Sequence, residues 1–228
     1  MALPQTGDAT LTPDGTDAKD YDAMLAAMRE QSSEALNIAY ADLLQSVLEC
    51  ATLVDAQLTG TFRRANDLST TEAAQCLDLV RANLEDMYRA TIGWSPRKKM
   101  REMREDGLVY LLVAAPERDD DDLVAFASFM PTYEDDAPVL YIYEVQVSER
   151  FRGNGLGSSM LAALETIATR VGLPHCMLTV FSMNTRACEF YARRNYIAAA
   201  HSPQRITLRR GVVKDPPYWI LEKTMPLL

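Results

Sequence analysis

The chain of 228 residues is poor in several things at once: it has four cysteines, two histidines and ten glycines. Cys50, Cys76, Cys176 and Cys188 form no CxxC pair and no zinc-type spacing, so each reads as a reduced, small apolar side chain. That usage fits a protein of the cytoplasm and nucleus rather than an oxidising compartment. No apolar run approaches the ~18 residues of a membrane span. Neither a signal peptide nor the glycine that myristoylation requires is read at Met1-Ala-Leu-Pro4. Basic residues are outnumbered, 23 against 32 acids, for a formal charge of -9. That balance disfavours direct nucleic-acid binding and a polybasic membrane anchor.

The acid is unevenly placed. Residues 1–60 carry ten acids and two bases, whereas the rest carries 22 acids and 21 bases. The body is therefore nearly neutral, and its partners must be read from local clusters.

Residues 1–19, rich in Thr, Asp, Gly and Pro without apolar periodicity, are expected to be a disordered lead. A helical extension is expected over 20–68, with Leu25, Met28, Leu36, Tyr40, Leu43 and Val47 on one stripe and Ile38 off it. Ser69-Thr-Thr-Glu72 reads as a capping box opening a further helix. The basic tract Arg97–Arg104 reads as a solvated helix face. Strand-like runs follow at 108–115, 123–129 and 139–147, then helix over 158–171, strand at 177–181, helix over 184–195 and closing strands at 197–200 and 218–222. This order makes an α/β (α+β) domain over 69–228, a mixed central sheet flanked by helices.

Tyr141-Ile-Tyr-Glu-Val-Gln-Val147 ends a strand, and Arg152-Gly-Asn-Gly-Leu-Gly157 joins it to a helix. Backbone amides of such a turn, backed by a helix N-terminus, suit a pyrophosphate. A dinucleotide GxGxxG would need a third glycine where Ser158 stands, and no Gly-Lys-Ser/Thr is present, so neither the Rossmann nor the P-loop form fits.

The pattern Arg152-x-x-Gly155-x-Gly157 after an acid-bearing strand resembles the acetyl-CoA signature of the GNAT acetyltransferase superfamily, and Asn184-x-x-Ala187-x-x-Phe190-Tyr191 agrees with it. Within the superfamily, Tyr141–Gln146, Met177–Phe181, Met87-Tyr88, Gly93-Trp94 and Arg101–Met103 are similar to the NatD branch, the histone amino-terminal acetyltransferases, over about residues 75–225. The resemblance implies the GNAT fold, acetyl-CoA as co-substrate with no metal, and histone tails beginning Ser-Gly-Arg-Gly as substrate. A monomer is expected.

A peptide α-amine, with a pKa of about 8, is roughly one-tenth neutral at pH 7, so a carboxylate is a sufficient base for it. Glu144, an acid in mid-strand, is the expected general base. The resemblance implies Tyr191 as an acid for the leaving thiolate. It also implies cofactor contacts from Val145, Gln146, Val147, Arg152, Gly153, Asn154, Gly155, Leu156, Gly157, Ser158 and Asn184. Peptide contacts are expected from Tyr88, Thr132, Glu134, Asp135, Tyr143, Thr179, Ser202 and Tyr218, with the acidic turn 134–136 meeting a substrate cation. His175 reads as structural, and His201 lies near the expected peptide entrance. Two other readings remain open at this stage: a GNAT enzyme acting on a small amine or on internal lysines, and a non-catalytic module that binds CoA or a histone tail.

Overall fold

The computed structural model describes residues 18–49, 57–115, 122–207, 209, 211 and 213–226. Cys50 and most of the lead lie outside them. The elements run α1 (Ala18–Glu30), α2 (Ser33–Ala39), α3 (Ala41–Glu49), β1 (Thr59–Arg64), α4 (Thr70–Ala90), α5 (Pro96–Met103), β2 (Val109–Ala115), β3 (Asp122–Glu134), β4 (Ala137–Val147), α6 (Leu156–Val171), β5 (His175–Phe181), α7 (Thr185–Ala192), β6 (Ile197–Ala198), β7 (Ile206–Thr207), β8 (Val213–Lys214) and β9 (Tyr218–Thr224). One seven-stranded sheet has the order β1-β2-β3-β4-β5-β9-β6, and β7 with β8 forms a separate hairpin. All neighbours in the large sheet are antiparallel except β4 and β5.

The caps are where the local chemistry puts them. Ser69 and Glu72 close a reciprocal capping box at the start of α4, and Pro96 occupies the first turn of α5 behind the Ser95 cap. Asp135 and Asp136, at φ 46° and 62°, form a two-residue turn between the paired residues Glu134 and Ala137. Short polar side chains tolerate that left-handed backbone, whose twist suits a tight hairpin.

The extension expected as helical over 20–68 also contains a strand. Thr59–Arg64 pairs along its length with Val109–Ala114 of β2 and forms the outer edge of the sheet. The helices of this extension pack on the sheet. Leu25, Met28, Leu36, Tyr40, Leu43 and Val47 share one core with Phe62, the inward residues of β2–β5 and the buried side of α6. Each such fully buried aliphatic side chain contributes about 1.5–3 kcal/mol of transfer free energy. Ile38, off the stripe, is exposed.

Asn37 of α2 shields the β1 edge. Its Oδ1 accepts from the Phe62 N–H at 2.8 Å and its Nδ2 donates to the Phe62 carbonyl at 2.9 Å. The side-chain amide thus acts as one residue of an absent neighbouring strand and occupies groups that would otherwise invite edge pairing. Ser33 continues the seal, its Oγ accepting from the Arg64 N–H at 2.9 Å.

A second cluster fills the opposite face of the sheet. Ala73, Cys76 and Val80 of α4 and Met103 of α5 pack there on Tyr110, Leu112, Phe126 and Met130.

Candidate active site

The site is made by a break in register. Along β3 and β4 the partners are Ala127 with Val145, Ser128 with Glu144, and then Phe129 with Ile142, so Tyr143 is an extra residue on β4. A bulge of this kind reverses the pleat, because side chains alternate with period two. Before it, Leu140 and Ile142 point into the core beside α6; after it, Val145 and Val147 do so. Glu144 and Gln146 are thereby turned to the face covered by α4 and α5. With even alternation Glu144 would have entered the apolar core.

Glu144 is 7% exposed, and both its carboxylate oxygens are held. Gln146 Nε2 donates to Oε2 at 2.6 Å, and Lys99 Nζ lies 2.6 Å from Oε1. Asn83 of α4 orients Gln146 through a 2.8 Å bond from its Nδ2 to Gln146 Oε1. Lys99 also pairs with Glu102 at 2.6 Å and sits over the Tyr88 ring. The tract Arg97–Arg104, expected as a solvated face, is thus divided. Arg97, Lys98, Arg101 and Arg104 are exposed, whereas Lys99 and Met103, one helical turn apart, are buried. Burial alone would depress the Lys99 ammonium, but the neighbouring groups Glu144, Tyr88 and Glu102 outweigh it and hold the pKa above the usual lysine range.

Beside Glu144 the sheet opens. β4 and β5 pair in parallel only from Val139 with His175 to Ile142 with Leu178. Beyond that point β5 continues along β9 to Phe181, and β4 continues along β3 to Val147. The splay leaves Tyr143–Val147 with an edge turned away from β3. Tyr141 Oη and Thr179 Oγ1 meet at 2.7 Å just before the split, and Tyr88 packs edge-on against Phe181 with centroids 4.8 Å apart. Tyr143 stacks at a tilt on Tyr141, and Trp94 lies against Tyr88.

Glu134 is on the Tyr143 face, opposite Ala137. Burial foremost, then the charge of Glu105 and the neighbouring groups Tyr141, Glu134 and Glu102, pushes the Tyr143 phenol up to about 12. Tyr218 pairs with Phe181 and so shares its face. These aromatic and acidic side chains share one face of the sheet and flank the groove opened by the split between β4 and β5. Thr132 lies on the same face opposite Val139. Asp135 is engaged by His201 Nδ1 at 2.7 Å, which ties the hairpin tip to the loop after β6. Ser202 is buried, and its hydroxyl accepts from the Ile220 N–H at 2.9 Å, so it braces β9 rather than facing the groove.

The glycine loop lies at the end of β4. Gly153 and Gly155 have φ of 82° and 84°, and a Cβ added to either would meet nothing within 4 Å. Glycine is therefore demanded there by the left-handed backbone, and the space in front is open. Gly155 caps α6, so the amides of Leu156, Gly157 and Ser158 have no partner within the helix. A Cβ at Gly157 would stand 3.4 Å from Val147. Arg152 is spoken for: Nε donates to the Val147 carbonyl at 3.1 Å and a terminal nitrogen donates to Asn83 Oδ1. It stiffens the loop instead of presenting a free cation, while Asn154 is half-buried in the turn. Leu156 is buried in the core, leaving only its backbone for a ligand. Gln146 likewise has only its main chain available.

Asn184 caps α7 through Oδ1, which accepts from the Ala187 N–H at 3.2 Å. Tyr191 is buried, edge-on to Phe190 and Tyr196. Its phenol is raised above the ordinary range by burial, then by the Glu144 charge, and so carries its proton at neutral pH.

A free strand edge, an open glycine turn and unpartnered helix amides meet at one place, and this donor set fits a long, amide-bearing thiol cofactor with a diphosphate. That is the layout of an acetyl-CoA-dependent acyltransferase. The family model described as Acetyltransferase (GNAT) family matches residues 75–196, and the chain belongs to that family. It is similar to N-alpha-acetyltransferase 40 of Saccharomyces cerevisiae, 32% identical over 205 residues, covering 78% of this chain and 64% of that protein. It is also similar to N-alpha-acetyltransferase 60 of Xenopus tropicalis, 28% identical over 107 residues, covering 46% of this chain and 42% of that protein. The chain thus spans less than two thirds of the length of these curated relatives. Among solved structures, Arabidopsis thaliana NAA60 in complex with a bisubstrate analogue matches 73% of this chain and 98% of its own, with a TM-score of 0.51 at 13% identity. That likeness is one of fold.

Proposed function

We propose that this chain is an amino-terminal protein acetyltransferase of the NatD type. Its substrates would be histone-type chains beginning Ser-Gly-Arg-Gly, met in the cytoplasm and nucleus, with Glu144 as the general base. One observation carries the reading: the bulge at Tyr143 sets a carboxylate between the splayed β4 edge and a groove walled by tyrosines and acids. The 32% identity to N-alpha-acetyltransferase 40 supports the α-amine as acceptor.

Acetyl-CoA supplies an acetyl thioester, an electrophile for a neutral amine. The main chain of Val145–Val147, the turn from Gly153 to Ser158 and the Asn184 side chain would hold it. Glu144 takes the proton that the α-ammonium must shed, directly or through water. Tyr88, Tyr143, Thr179 and Tyr218 line the path of a small N-terminal residue. Glu134, with Thr132 and Asp135 behind it, meets the arginine that follows, and Tyr191 would give its proton to the leaving CoA thiolate.

The test is mass spectrometry of peptides incubated with the purified chain and acetyl-CoA. The panel contains Ser-Gly-Arg-Gly peptides with free and blocked N-termini, internal-lysine peptides and polyamines. Transfer confined to the free Ser-Gly-Arg-Gly terminus is expected; transfer to lysines or polyamines with that terminus untouched would refute the reading.

A further inference from the structure

The candidate base is the middle of a continuous chain of contacts. It begins at the glycine loop, where Arg152 holds Asn83, and runs through Asn83 to Gln146 at 2.8 Å and Gln146 to Glu144 at 2.6 Å. It leaves Glu144 through Lys99 at 2.6 Å and ends at Glu102, on the groove side, at a further 2.6 Å. Four different elements or loops contribute, and the two central charges are almost completely buried.

A buried ion pair of this kind is weak evidence for stability, because desolvating both ions costs about as much as their attraction returns. A well-packed apolar pair would serve the fold as well. Its presence beside a candidate reacting group needs another reason. A carboxylate with two oxygens and free rotation would have no preferred lone pair to offer. Here Lys99 fixes one oxygen and Gln146 the other, so the carboxylate plane is set.

The other ionisable groups facing Glu144 do not supply this hold. Cys76 and Tyr88 on α4, Tyr110 on β2 and Tyr191 on α7 are all pushed up, by burial first, and stay neutral near pH 7. Glu102 is an acid. Lys99 is the cation of the set.

We infer that Lys99 is a positioning residue for acetyl transfer, acting through Glu144, with Gln146 and Asn83 as its counterpart on the other oxygen. This rests on Glu144 being the base. Lys99 touches neither substrate nor cofactor in this role; it keeps the carboxylate oriented so that an amine proton has one defined acceptor.

The experiment compares kcat, KM and the pH dependence of kcat for the full chain carrying Lys99→Met, Lys99→Arg, Glu144→Gln and the double substitution Lys99→Met with Glu144→Gln. Lys99→Met is expected to lower kcat by about tenfold or more, with KM for acetyl-CoA within about threefold of the parent. Removing the cation disfavours the carboxylate, so the acid limb of the profile moves to higher pH by about one unit, and Lys99→Arg restores it. The double variant is expected to be no slower than Glu144→Gln, because the two residues act as one unit. An unmoved acid limb in Lys99→Met, or losses that multiply in the double variant, would overturn the positioning role alone. Undiminished kcat in Glu144→Gln would overturn both the base assignment and this inference. Should Lys99→Met not fold, Gln146→Met removes the other donor. It is expected to shift the acid limb the same way by a smaller amount, and an unmoved limb there is equally decisive against the proposal.

Discussion

Glu144 stands directly opposite Ser128, yet Ile142, two residues earlier on the same strand, stands opposite Phe129, the very next residue on the partner. One unpaired residue, Tyr143, accounts for the difference. It decides that a carboxylate rather than a valine looks into the groove, and it coincides with the point where β4 leaves β5. Fold and chemistry are therefore joined at one backbone irregularity.

From this follows the first prediction. Glu144→Gln keeps the shape and the contact with Gln146 but removes the proposed base, and kcat should fall about 10²- to 10³-fold. Acetyl-CoA affinity, measured by calorimetry, should stay within about threefold of the parent, because the groups proposed to hold the cofactor, the main chain of Val145–Val147 and of 153–158 and the Asn184 side chain, are left intact. Glu144→Asp should sit between the two. Its carboxylate is one methylene too short to reach Lys99 and Gln146 together.

The glycine loop can be tested by a single methyl group. At Gly155 the space is open, so Gly155→Ala meets no clash, and its whole effect is the cost of φ near +84° for a residue with a Cβ. That cost is about 1–2 kcal/mol. A fall in thermal stability is expected together with weaker acetyl-CoA binding, as the loop relaxes away from the shape that aims the first α6 amides. Calorimetric titration with CoA checks the second effect directly.

Much of this was legible in the residues because it is local. The β2–β5 runs, α6, α7 and the turn between β4 and α6 announce themselves by period and by glycine spacing, and Ile38 is marked as exposed by falling off its stripe. Other features depend on contacts distant in sequence. β1 is a polar six-residue segment with one buried residue, Phe62, and is a strand because β2 lies beside it. Lys99 hides in a run of bases, and its one local marker is the apolar Met103 a turn away on the same face. The bulge at Tyr143 is a register effect, and Tyr-Ile-Tyr-Glu-Val-Gln alone does not say which side chains share a face. Ser202 had the right neighbourhood, but its hydroxyl is committed to β9.

Asn37 offers a stability test of the N-terminal helices. Asn37→Ala leaves the Phe62 N–H without its partner and takes the nearest donor from the Phe62 carbonyl, which keeps only longer contacts of 3.4 Å from Thr61 Oγ1 and Arg63, at a cost of about 1–3 kcal/mol. Chemical denaturation should show that loss as a shift in midpoint without a change in slope. The unshielded β1 edge should also raise the tendency to aggregate, seen as light scattering on mild heating.

Substrate choice should depend on Glu134. For a Ser-Gly-Arg-Gly peptide, Glu134→Gln removes one charged partner of the arginine, and KM should rise roughly tenfold, the worth of a charge-assisted hydrogen bond. A Ser-Gly-Ala-Gly peptide should show no such change. The proposed preference for the arginine peptide should also weaken with added salt, since exposed charge attraction is screened. Equal KM changes for both peptides would mean that Glu134 shapes the groove without reading the cation.

The last prediction concerns alkaline pH. Tyr88, Tyr110, Tyr143, Tyr191 and Tyr196 all have phenols raised above their ordinary value, burial being the largest cause in each. A raised folded pKa means that the folded state holds the proton more tightly than the unfolded chain. The associated stability is complete below the unfolded value of about 10 and is lost as pH rises through the folded values. Lys99 adds to the same trend, because its raised pKa makes the ion pair's contribution disappear above the ordinary lysine value of about 10.4. The protein should therefore hold its stability from neutrality to about pH 10 as far as these groups are concerned, then lose it steeply. In a spectrophotometric titration the buried phenols should ionise in one late step that coincides with loss of far-ultraviolet circular dichroism. Replacing Tyr110 by Phe removes one of these groups and, at the same time, the hydrogen bond to the Met103 carbonyl at 2.5 Å. That variant should be less stable at pH 7 yet lose less of its remaining stability between pH 10 and 12 than the parent.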